Sequence, residues 1–169
     1  MINNDTIEII KSKITAAFGE AIVAVEQHYD FPVFVVKKDN LHGILSLMKQ
    51  DADLGFHFLT TMCTIHFPEN KGQEFCMMYQ LHNMPNNWRV RFRTFMAETD
   101  IDVPTVTDIW PTANWMERQE YDFFGINFVG HPNLTRILNM DQMNYFPMRK
   151  EFALEDGSRT DKDDKYFGR

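Results

Sequence analysis

The stretch FHFLTTMCTIHFPENKGQEFCMMYQLHNMPNNWRVRFRTF, Phe56 to Phe95, decides the architecture. Its last eight residues, Trp88 to Phe95, alternate Arg89, Arg91 and Arg93 with Val90 and Phe92. Side chains of a strand point alternately to its two faces, so this is a strand with one basic and one apolar face. The basic face is either solvated or set against an acidic partner surface. Upstream, Phe56–Phe67 and Glu74–His82 are rich in β-formers and are separated by the turn sequence PENKG, Pro68 to Gly72. Two such runs around a turn predict an antiparallel hairpin.

Working outward, Asp5–Phe18 repeats Ile7, Ile10, Ile14 and Phe18 at helical spacing, with Asn4 or Asp5 to cap it and Gly19 to stop it. Ala21–Gln27 and Pro32–Val36 read as strands. Asp39 is placed to cap a second helix that buries Leu41, Ile44, Leu45 and Met48. The order α-β-β-α-β-β-β predicts a two-layer α+β domain over residues 1–103, with helices on one face of a mostly antiparallel sheet.

After Pro104 the character changes. Pro111 suits the first turn of a helix that runs to Phe124 and stops at Gly125. From Ile126 there is no clear periodicity. Residues 104–152 therefore read as a helix and loop packed on the first unit. From Arg149 to the end there are six basic and six acidic residues and few apolar ones. Residues 153–169 are expected to be an extended or disordered tail that docks on a partner.

Composition narrows the function. A net charge of −7 argues against a general nucleic-acid binder. No run approaches the ~20 apolar residues of a membrane span, and the first twenty residues do not read as a secretory signal. Cys63 and Cys76 are expected to be reduced, buried thiols, and two thiols cannot supply the four ligands of an iron–sulfur cluster. There is no G-x-G-x-x-G, P-loop, H-E-x-x-H or C-x-x-C. Asp51 and Asp53 open like a calcium loop, but Phe56 and Met62 stand where glycine and glutamate are needed.

Residues 104–152 read PTVTDIWPTANWMERQEYDFFGINFVGHPNLTRILNMDQMNYFPMRKEF. This segment resembles the 30 kDa subunit family of respiratory NADH–quinone oxidoreductase, whose bacterial members are the C subunits of that complex. The resemblance is carried by Glu117, Arg118, Gln119, Asp122, Phe123, Phe124, His131, Arg136 and Ile137, in order. The TDIWP–ANW block before them and the P-M-R-K-E-F block after them, with Arg149 and Lys150, also match. Thr61 and His66 depart from acidic residues common in the family, and Ala153 from a proline.

The resemblance implies a non-catalytic peripheral-arm subunit of a proton-translocating complex that passes electrons from NADH to quinone. It implies no cofactor in this chain, with FMN and iron–sulfur clusters in partner subunits. The D-type subunit, which forms the quinone site, is the expected neighbour. The place is the cytoplasmic face of a bacterial inner membrane, peripheral and held there through the complex. The equivalent subunit of a membrane-bound hydrogenase-type complex is the alternative.

The residues of the helix can also be read on their own. Arg118 and Asp122, four apart, are placed to pair within it. Glu117 and Glu120, three apart, repel unless a cation comes from Arg136, Arg149, Lys150 or another chain. Three readings follow: a solvated acidic face, a catalytic carboxylate pair, or a charge network that anchors a loop or an interface. No nucleophile or pocket signature accompanies the catalytic reading. With His131, these residues form the interface or signature set, and the catalytic set is empty.

Overall fold

The computed structural model describes residues 4–152. The expected docking tail, 153–169, lies outside them.

Helix α1, Asn4–Phe18, is followed by strands β1, Ile22–His28, and β2, Phe31–Val36. Next come helix α2, Leu41–Gln50, and strands β3, Phe58–His66, β4, Phe75–Asn83, and β5, Trp88–Met96. Strand β6, Asp102–Pro104, helix α3, Ala113–Phe124, and strand β7, Asn127–Val129, complete the order. The main sheet has the order β1-β2-β5-β4-β3. Every neighbouring pair is antiparallel except β2 with β5. The α+β class and the β3–β4 hairpin are as the alternation predicts.

Burial follows that alternation. Val90, Phe92 and Met96 of β5 join Phe75, Met77, Tyr79 and Leu81 of β4 in one cluster with Ile10, Ile14, Leu41, Ile44, Leu45 and Met48 of the helices. Val103, Val106, Trp110, Ile126 and Phe128 belong to the same cluster.

On the opposite face of β5, Arg91 donates to Gln80 at 2.9 Å and lies over the Phe31 ring at 4.4 Å. Arg93 lies 3.5 Å from Glu26. Both arginines therefore have partners within the chain. Cys63 is half-buried, and Cys76 is buried with its thiol pushed up to about 11 by desolvation, the state of an inert packing residue.

Several boundaries differ from expectation. Asn4 and Asp5 lie inside α1, not ahead of it. Asp39 sits in a 3-10 turn, Lys38–Asn40, and no side chain caps α2. Helix α3 begins at Ala113, two residues after Pro111, since Trp110 to Asn114 form turns closed by Ala113 N–H to the Trp110 carbonyl and Asn114 N–H to the Pro111 carbonyl; the buried Trp110 donates its indole N–H to the His57 carbonyl at 3.1 Å. Strand β7 pairs in parallel with β6 where no periodicity was visible. Three residues are too few to show an alternation.

Candidate functional site: a buried charge network on the third helix

Helix α3 lies against β3, the edge strand, whose outer N–H groups need partners. Glu120 supplies one, accepting the Thr64 N–H at 2.7 Å. Glu117 accepts the Thr105 hydroxyl at 2.6 Å and the Val106 N–H at 2.7 Å, which ties the chain between β6 and α3 to the helix. Both carboxylates are buried. The solvated-face reading is therefore wrong. So is the expected cation from Arg136, Arg149 or Lys150, because N–H and O–H donors take its place. Desolvation lifts the Glu117 carboxyl to about 7 against the pull of the Thr105 and Val106 donors, and Glu120 is raised for the same reason.

His131 Nε2 lies 4.0 Å from a Glu117 carboxylate oxygen. Its Nδ1 accepts the Asn133 N–H at 3.0 Å and its Nε2 donates to the Asn114 carbonyl at 3.1 Å, so both ring nitrogens are engaged by backbone groups.

Asp122 is the centre of the arrangement. Its carboxylate accepts the N–H groups of Ile137, Leu138 and Asn139 at 2.8–3.1 Å, the Asn139 amide at 3.0 Å and the Arg136 guanidinium at 2.8 Å. Burial opposes the charge, but these donors outweigh it and hold the carboxyl far below the usual range. Arg136 goes on to donate to the Met143 and Tyr145 carbonyls, both at 3.0 Å. The expected Arg118–Asp122 pair does not form. Arg118 instead donates to Thr135 and to the Arg136 carbonyl, with its guanidinium over Trp115 at 4.7 Å.

Phe146 closes the knot. The guanidinium groups of Arg136 and Arg149 lie 5.0 Å and 5.1 Å from its ring centre, and Arg149 donates to the Phe124 carbonyl at 2.7 Å. Gly125 ends α3 in the left-handed conformation, φ +78°, directly under that ring. A Cβ at residue 125 would fall 2.5 Å from Phe146. Gly125→Ala should therefore lose about 1–2 kcal/mol from backbone strain alone, before Phe146 is displaced. A denaturation midpoint unchanged from wild type would contradict this. Lys150 enters through its backbone, whose N–H donates to His66 Nδ1 at 3.0 Å, and His66 stacks on Phe75 at 4.5 Å. Its side chain stays at the surface.

Asp122, Arg136 and Arg149 are thus brought together around Phe146. Glu117 with His131, Glu120, and Lys150 occupy separate places. The roles of Phe146, Asn139, Thr64, Thr105 and His66 were missed, since each depends on a contact distant in sequence. Among the described residues, no group of three or more His, Cys, Asp or Glu is placed to hold a metal ion. No helix among them is long and apolar enough to cross a membrane.

The fold and this network define a small α+β protein whose signature helix uses its charges to fasten an irregular loop. Residues 34–158 match the family described as respiratory-chain NADH dehydrogenase, 30 kDa subunit, and the chain belongs to that family. It is 35% identical over 145 residues to NADH-quinone oxidoreductase C subunit 2 of Rhizobium etli, covering 85% of this chain and 76% of that protein. It is 35% identical over 154 residues to the NADH-quinone oxidoreductase C subunit of Burkholderia mallei, covering 88% and 77%. Among solved structures, a trypsin-resistant fragment (1–134) of Nqo5 superposes with a TM-score of 0.64 at 27% identity, over 77% of this chain and 97% of that one. A chain of an archaeal membrane-bound sulfane sulfur reductase shares the fold, with a TM-score of 0.73 at 24% identity over 89% and 87% of the two chains.

Proposed function

We propose that this chain is a non-catalytic, cofactor-free peripheral-arm subunit of a proton-translocating NADH–quinone oxidoreductase. It supports the arm that carries electrons from NADH through FMN and iron–sulfur centres to quinone. The observation that carries the non-catalytic part is the commitment of Glu117, Glu120, Asp122 and Arg136 to the chain's own groups. A catalytic acid or base must reach a substrate proton. The Glu117 and Asp122 side chains are fully buried with every donor already inside the fold. The relatives, NADH-quinone oxidoreductase C subunits by name, support the complex itself over a hydrogenase-type assembly. On this reading the D-type, quinone-site subunit is the principal neighbour. Attachment to the cytoplasmic face of a bacterial inner membrane is indirect, through the complex.

The test is the purified chain. It should be colourless, free of flavin and iron, and should melt in one cooperative transition. Stoichiometric flavin or iron would overturn the cofactor-free reading.

A further inference from the structure

We propose that a single water molecule is bound inside the fold, between the Tyr79 hydroxyl of β4 and the Glu117 and Glu120 carboxylates of α3. Among the described residues, two buried side-chain oxygens have no hydrogen-bond partner in the protein, Tyr79 Oη and Thr94 Oγ1. Buried polar groups are almost always partnered, by protein or by ordered water, because an unmade bond leaves the whole desolvation penalty in place. For Thr94 a rotation about χ1 can turn the hydroxyl towards a nearby backbone carbonyl. The Tyr79 hydroxyl stands at the far end of a rigid ring and has no such local remedy.

The register places Tyr79 on the strand next to the one on which α3 lies. Tyr79 is opposite Met62 of β3 and Phe92 of β5, and all three side chains belong to the core cluster. Glu120 bonds the Thr64 N–H, two residues along β3 from Met62. Glu117 stands three residues earlier on the same side of the helix. Burial, together with the charges of Glu117 and Glu120, raises the Tyr79 hydroxyl well above its ordinary range and keeps it protonated. The hydroxyl is therefore a donor, and the two groups whose charges act on it are acceptors. Neither carboxylate bonds it directly, so contact between them needs a bridge.

Water fits this set in number and in kind. It accepts one bond from Tyr79 and donates one to each carboxylate, which makes the three bonds usual for a buried water. Residues three apart on a helix stand about 5–6 Å apart at Cβ. Two hydrogen bonds of about 2.8 Å to one water oxygen span a similar separation. Both acceptors have capacity left. An ionised carboxylate offers about four lone-pair sites, whereas Glu117 takes up Thr105 and Val106 and Glu120 takes up Thr64. A hard cation asks for about six oxygen ligands, more than two carboxylates and a phenol supply. The water extends the hold of α3 from the edge strand β3 to β4.

The test uses the full purified chain. Oxygen-17 magnetic relaxation dispersion counts the water molecules held inside a protein for longer than it takes to tumble. Tyr79→Phe removes one oxygen and keeps the ring. It should lose one long-lived water from the wild-type count. Its unfolding equilibrium constant should rise about fivefold or more, because the bridge to two charged acceptors is lost. An unchanged water count in Tyr79→Phe would overturn the proposal. So would a variant at least as stable as wild type, the result expected of a hydroxyl that is buried dry. Wild-type stability that rises with potassium or sodium at constant ionic strength, and no longer does so in Tyr79→Phe, would show a cation as the occupant and overturn the proposal as well.

Discussion

Asp122→Ala is expected to lower the stability of the isolated domain by about 3–5 kcal/mol, the cost of stranding the other half of a buried charge pair. Arg136 would lose its carboxylate while its own side chain stays 8% exposed. The N–H groups of Ile137, Leu138 and Asn139 would lose their acceptor at the same time. Hydrogen exchange should speed up at those three amides before any change appears in the main sheet. Arg118→Ala is the comparison. Arg118 donates to the Thr135 carbonyl and hydroxyl and to the Arg136 carbonyl from a partly exposed position, and its loss should cost about 1 kcal/mol. A chemical denaturation series decides between them. If Asp122→Ala costs no more than Arg118→Ala, the central place given to Asp122 is wrong. The charge on Asp122 also carries a pH dependence. Its folded pKa is depressed, so its contribution is present above the ordinary carboxylate range and is lost as the pH falls through the depressed value.

Glu117 has the opposite sign. Its carboxyl titrates ordinarily at 4.5 and in the folded chain at about 7. Between those values the folded state holds a proton that the unfolded state has released. Stability therefore falls as the pH rises through this window and levels off above about 7. The gap corresponds to about 3 kcal/mol, and Glu120, also raised, adds in the same direction. Burial is the main cause, with Asp108 adding to it and His42 opposing it. Glu117→Gln keeps a carbonyl for the Val106 N–H and supplies a neutral amide for Thr105. It should flatten the stability profile between about pH 5 and pH 8 and be more stable than wild type at the alkaline end. The same slope in variant and wild type would show that Glu117 titrates normally.

The sheet was legible because each long strand carries its own alternation. Arg89, Arg91 and Arg93 against Val90 and Phe92 locate β5 without any other information. Gly125 as a helix stop was equally local. The knot was legible only in its membership. Spacing on a helix indicates that Arg118 reaches Asp122, but it carries no record of the loop returning fourteen residues later with Arg136 and three aligned N–H groups. Nor does it show that Thr64 and Val106 supply the donors for Glu120 and Glu117, because the first pairing is made by packing α3 against β3 and the second by the chain between β6 and α3 folding back on the helix. Burial inverted the expectation for that carboxylate pair. Two acidic residues on one helix face looked solvent-seeking or in need of a cation, and backbone amides met the need instead. The resemblance of residues 104–152 to the family singles out Glu117, Asp122 and Arg136 but carries no record of the groups that bind them.

Native purification from solubilised membranes, followed by identification of the chains that stay with this one, is the decisive experiment. The expected result is a large assembly containing the NADH-, flavin- and iron–sulfur-bearing subunits together with the D-type subunit of the quinone site. A nickel–iron hydrogenase chain in their place, or a monodisperse small protein with no membrane assembly, would contradict it.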